Sequence, residues 1–83
     1  MESNKIRMYG TNWCGDCRRA KQFFHDYGIE FDWIDIDRDK DAEQLVRQIN
    51  HGNRSVPTIV FPDGSVLVEP RYLDLAKKMN VEI

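Results

Sequence analysis

The sequence predicts an α/β fold whose strands and helices follow the order β-α-β-α-β-β-α. Two observations carry that expectation. Apolar residues alternate in some stretches and recur at helical spacing in others, and glycines and prolines mark the switches between them. A third observation ties the order to chemistry: the only two cysteines stand at the first switch from strand to helix, in Trp13-Cys14-Gly15-Asp16-Cys17.

Lys5-Ile6-Arg7-Met8-Tyr9 alternates loosely and reads as the first strand, ended by Gly10-Thr11-Asn12. From Gly15 the period changes. Ala20, Phe23, Phe24 and Tyr27 repeat at helical spacing, with Gly28 as the stop. Cys17 falls one turn before Ala20 on the inward stripe, and Cys14 lies at the open end, so one sulfur should be exposed and the other shielded. Glu30 to Asp37 carries Phe31, Trp33, Ile34 and Ile36, apolar on both faces as an interior parallel strand would be. Strand, helix and strand make a βαβ unit with a right-handed crossover. Asp37 or Asp39 is placed to cap the next helix, in which Ala42, Leu45, Val46 and Ile49 repeat until His51-Gly52. Pro57-Thr58-Ile59-Val60-Phe61, the turn Pro62-Asp63-Gly64 and Ser65-Val66-Leu67-Val68 read as a β-hairpin. Pro70 then opens a last helix with Tyr72, Leu75, Ala76 and Met79 on one stripe and Lys77-Lys78 near its negative end.

The 83 residues suit one compact domain, 1–83, with no internal repeat, low-complexity tract or linker. Hydrophobic residues at 41% with 31% charged ones are the balance of a soluble globular chain, and no apolar run approaches the ~20 residues of a membrane span. Met1-Glu2-Ser3-Asn4-Lys5 holds no hydrophobic signal core, so a cytoplasmic location is expected, and two cysteines do not make a disulfide-stapled secreted module. The net charge of −2 gives no case for nucleic acid as a partner. Acids crowd the middle of the chain (Asp26, Glu30, Asp32, Asp35, Asp37, Asp39, Asp41, Glu43) and read as a solvated surface.

The chemistry is expected at Cys14. A helix N-terminus presents unpaired N–H groups and the positive end of the helix dipole, which favour an anion and hence a lowered thiol pKa. Arg18, Arg19 and Lys21 follow closely enough to add to the effect. Asp16 opposes it, by well under ~1 kcal/mol for an exposed charge in high dielectric. The spacing lets Cys14 and Cys17 bond to each other, which suggests thiol–disulfide exchange. A purely stabilising disulfide fits less well, because so short a loop contributes only ~2 kcal/mol. A metal site fits poorly too. His25 lies ~12 Å along the helix from Cys17, and His51 ends another helix, so no single-chain metal site is expected.

Three further positions bear on substrate. Val56-Pro57 opens an apolar strand, and its peptide bond could be trans or, at a cost of only ~0.5–1 kcal/mol, cis. A cis bond would turn the Val56 N–H and C=O outward to pair with an extended substrate. Trp13 either covers the helix start or offers an apolar contact to substrate, and Arg54 either binds a carboxylate of a small thiol or is solvated.

The constellation resembles the glutaredoxins. Cys14-Gly15-Asp16-Cys17-Arg18-Arg19-Ala20-Lys21 is similar to their C-P-Y-C-x-R-A-K stretch, and Ser55-Val56-Pro57 to their T-V-P corner. Tyr9 to Cys17 resembles the Y-T-T-x-W-C-G-Y-C signature of the mycoredoxin branch, as do Gly52 to Thr58 and Phe61 to Ser65 its later G-N-R-T-V-P-T and F-x-D-G-S. The resemblance implies a thioredoxin-like fold, a four-stranded mixed sheet flanked by three helices, with cis Pro57, Cys14 as nucleophile and Cys17 as resolving thiol. It also implies reduction of protein disulfides or of S-thiolated proteins; the chain is expected to act as a monomer. No cofactor would be tightly bound, and a low-molecular-weight thiol, mycothiol or glutathione, would be co-substrate. Thr11 stands where many glutathione-using members carry lysine, Glu69-Pro70 replaces a Gly-Gly pair, and Asp16 stands for a tyrosine. The first two bear on which small thiol is used. Two other roles fit the same scaffold: a redoxin donating electrons to ribonucleotide reductase and recharged by thioredoxin reductase, or a non-catalytic iron–sulfur or peptide-binding module.

Overall fold

The computed structural model describes residues 5–82. The reading of the first residues as lacking a signal core falls, for Met1 to Asn4, outside them. Strands β1 (Ile6–Gly10), β2 (Phe31–Asp35), β3 (Thr58–Val60) and β4 (Val66–Val68) form one sheet in the order β2-β1-β3-β4. Helices α1 (Gly15–Asp26), α2 (Lys40–Ile49) and α3 (Tyr72–Lys78) complete the expected element order. β1 runs parallel to β2 and antiparallel to β3, and β3 is antiparallel to β4. The sheet is therefore mixed, as the resemblance implied.

Alternation along β1 decides which helix covers which face. Ile6 and Met8 point into one core with Ala20, Phe23 and Phe24 of α1, Ile59, Phe61, and Leu75 and Ala76 of α3. Tyr9 points the other way, into a second core with Ile36, Ala42 and Val46 under α2. α1 stops where expected: Gly28 adopts φ 63°, and the N–H groups of Gly28 and Ile29 close onto the carbonyls of His25 and Phe24 at 3.2 and 2.8 Å. α2 starts on Asp39, whose carboxylate accepts the Ala42 N–H at 3.0 Å. Among the described residues no helix is long and apolar enough to cross a membrane.

Two expectations are corrected. β2 is parallel but lies at the sheet's edge. Its apolar residues on both faces reflect the helices above and below it: Phe31 and Trp33 pack against the α1 core, Ile34 against the α2 core. Pro70 does not open α3. Glu69 turns through a left-handed φ of 49°, Arg71 is the cap residue, and its N–H donates to Asp74 at 2.8 Å before the helix begins at Tyr72.

The register sets the place of the site. Gly10, the last residue of β1, pairs with Asp35 at the end of β2, and Tyr9 pairs with Thr58 at the start of β3. The loops 11–14, 36–39 and 55–57 consequently meet at one end of the sheet, where the parallel strands present their carboxyl ends.

Candidate active site

Cys14 is the cap residue of α1. Its backbone is extended (φ −87°, ψ 121°) and its Sγ accepts the Cys17 N–H at 3.3 Å, taking up one of the donors a helix start leaves unpaired. The same thiol donates to the Val56 carbonyl, 3.8 Å away. The Cys14 N–H donates to the Thr11 carbonyl at 3.4 Å, which folds the loop tightly before the helix. Both cysteines are free thiols.

The expected contrast in exposure is smaller than the spacing suggested. Cys17 is 1% exposed and Cys14 only 9%, because the capping geometry folds the Cys14 sulfur back over the helix start. The two still differ in chemistry. Burial pushes the Cys17 thiol up to about 12, and the neighbouring Cys14 adds to the rise, against opposing pulls from a Thr11 backbone hydrogen bond and the Lys21 charge.

Gly10 leaves room for that buried sulfur. A Cβ there would stand 2.6 Å from Cys17 Sγ and 2.7 Å from the Trp33 ring, so the requirement for glycine is space. Gly10→Ala is expected to destabilise the fold by about 1–3 kcal/mol through overpacking. Urea unfolding followed by the tryptophans checks it; an unchanged midpoint would mean that sulfur and ring yield freely.

The Val56–Pro57 peptide bond is cis. The corner is held from α2: Asn50 Nδ2 donates to Thr58 Oγ1 at 3.0 Å, and that hydroxyl donates to the Ser55 carbonyl at 2.8 Å. The Pro57 carbonyl accepts the Glu69 N–H at 2.8 Å, and the Val56 carbonyl faces Cys14. Thr11 is buried, and its hydroxyl oxygen has no hydrogen-bond partner among the described residues.

The charged candidates are arranged otherwise than the spacing suggests. Arg19 pairs with Asp16 one turn along α1, so these two engage each other, and Arg18 is exposed. The Lys21 ammonium lies 3.4 Å from the centroid of the Trp33 ring. Arg54 already meets two carboxylates of its own chain, Asp37 and Glu43. Trp13 is 68% exposed, and its indole N–H donates to Asp37 Oδ2 at 3.0 Å. Asp37 and Glu43 lie in the acidic run that reads as solvated surface; the signal that sets them apart is Arg54, a cation beside the Ser55-Val56-Pro57 corner that meets both. Among the described residues, no three His, Cys, Asp or Glu side chains converge to hold a metal ion.

An open mixed sheet flanked by three helices, with a capping cysteine beside a Val-Pro corner, defines a protein of the thioredoxin-like class. The solved structure of a single-site mutant of the thioredoxin-like protein BC3987 superposes with a TM-score of 0.82 at 25% identity, covering 96% of this chain and 100% of that one. The family model Glutaredoxin matches residues 6–67, and the chain belongs to the glutaredoxin family of thiol oxidoreductases. A Mycobacterium tuberculosis protein bearing the name glutaredoxin is 38% identical over 74 residues, 89% of this chain and 88% of its own. Mycoredoxin 1 of Corynebacterium glutamicum is 34% identical over 77 residues, 93% and 95% of the two chains.

Proposed function

We propose that this chain, acting as a single cytoplasmic unit and as a monomer, reduces mixed disulfides between proteins and a small thiol. The observation that carries the reading is the Cys14 sulfur at the start of α1, hydrogen-bonded by the Cys17 N–H and facing the Val56 carbonyl. The Cys14 thiolate attacks the small-thiol sulfur of the mixed disulfide. That bond breaks, the protein sulfur leaves and takes up a proton, and Cys14 becomes disulfide-linked to the small thiol. A second small-thiol anion attacks that sulfur, releasing the symmetrical small disulfide and the Cys14 thiolate. Alternatively Cys17 gives up its proton and attacks Cys14, which releases the small thiol and leaves a Cys14–Cys17 disulfide for a thiol reductant to reopen.

In this scheme the Val56 backbone, beside Pro57, docks an extended substrate, and Trp13 gives it an apolar contact. Thr11, whose carbonyl accepts the Cys14 N–H, backs the loop against which the small thiol binds, and the Asp16–Arg19 pair with Arg18 sets the charge around the helix start. No tightly bound cofactor is required. Similarity to a protein named Mycoredoxin 1 supports mycothiol, with glutathione as the other candidate. Separate assays with mycothiol, glutathione and thioredoxin reductase as electron source test the reading. Turnover with a small thiol is expected; turnover with thioredoxin reductase alone would replace it by a redoxin of the ribonucleotide reductase type, and no turnover with any would overturn it.

A further inference from the structure

Trp13 is the most exposed large apolar side chain among the described residues, at 68%, and it directly precedes the sulfur expected to attack. An indole in that setting would normally sample several rotamers. Here it is tied at its edge. Its N–H donates to one oxygen of Asp37, and the other oxygen of Asp37 accepts from Arg54. Arg54 is held in turn by Glu43 of α2, beside Arg47 at 3.7 Å. The preceding residue of the same loop is tied to the same turn: Asn12 Nδ2 donates to Asp35 Oδ2 at 3.3 Å, and Asp35 Oδ1 accepts the Asp37 N–H at 2.9 Å. The two residues before Cys14 are thus anchored to the end of β2 and to the turn that follows it. Arg54 and Trp13 together hold the Asp37 carboxyl below the usual carboxylate range, so the tether is ionised at neutral pH.

We propose that Asp37 is a positioning residue, braced by Arg54 and Glu43, that fixes the Trp13 ring as a preformed docking face selecting polypeptide disulfides over small ones. The inference rests on the proposed reductase activity and deepens it. A small disulfide needs room only around Cys14. A polypeptide laid along Val56 must also cross the neighbouring indole, and a ring already held in place loses less freedom when it is covered.

The test measures KM and kcat for an S-thiolated unstructured polypeptide and for bis(2-hydroxyethyl) disulfide. Asp37→Ala is expected to raise KM for the polypeptide about 3- to 10-fold relative to that for the small disulfide, with kcat moving less. Asp37→Asn, which keeps an acceptor oxygen for the indole, should recover most of the difference. In a Trp13→Ala background, Asp37→Ala should add nothing further to the KM ratio. An unchanged ratio in Asp37→Ala, or multiplicative effects in the double variant, would overturn the inference.

A second readout does not depend on turnover. With Trp33→Phe leaving Trp13 as the sole indole emitter, Asp37→Ala should introduce a sub-nanosecond anisotropy decay absent from the parent. Identical decays would refute the tether. Absence of turnover in the unmodified protein would refute the reductase reading and leave the anisotropy result to judge the positioning alone.

Discussion

Cys14→Ser is expected to lower disulfide reduction by a factor on the order of a thousand or more, because an alcohol is a poor nucleophile toward a disulfide sulfur at neutral pH. The substitution keeps the cap, since a serine oxygen also accepts from the N–H of residue 17. The loss should therefore appear in turnover and not in thermal stability. Cys17→Ser separates the two sulfurs. Residue 17 supports Cys14 through its backbone N–H, which a serine leaves in place. The monothiol route should survive in Cys17→Ser to within about tenfold, while a Cys14–Cys17 disulfide can no longer form. Turnover assays with an S-thiolated protein and with a dithiol substrate check both statements. Retained activity in Cys14→Ser would reverse the assignment of roles.

Phe23→Ala should cost about 3–5 kcal/mol of folding stability. The Phe23 ring is fully buried and lies 5.5 Å from the Phe24 ring, 5.0 Å from Tyr27 and 5.1 Å from Tyr72. It joins α1 both to the sheet and to α3. A chain of this size has roughly 5–15 kcal/mol in total, so one truncated ring removes a large share. The consequence reaches the site, because α1 holds Cys14 at its first turn and Cys17 on its inward face. Urea denaturation measures the change as a lower midpoint at unchanged slope. A loss under about 1 kcal/mol would mean that the aromatic cluster tolerates the void and does not organise the helix.

Much of this fold was legible because local rules and packing agree. The helical spacing of Ala20, Phe23 and Phe24 marked the inward face of α1, and Gly28 marked its end. What local pattern could not show was which strands are neighbours. The apolar residues of β2 suggested an interior position, yet two helix layers make an edge strand read the same way. The same ignorance hid the brace on Trp13. Arg54 is separated in the chain from Asp37 and Glu43, and the β2-β1-β3 order brings its loop beside the turn and helix start that carry them. Arg54 was legible as a carboxylate partner, but the carboxylates it meets belong to this chain. The exposure of Cys14 was overestimated for a more local reason: helical spacing gives a residue's side of the helix, and capping gives its side chain's direction.

Selective alkylation of the reduced, folded protein with iodoacetamide at neutral pH, mapped by peptide mass, bears most directly on Cys14 as the attacking sulfur. Label is expected on Cys14 well before Cys17, whose thiol is 1% exposed and pushed up to about 12. Labelling of Cys17 first or at an equal rate, or a Cys14 that stays unreactive until the fold is opened, would contradict the assignment.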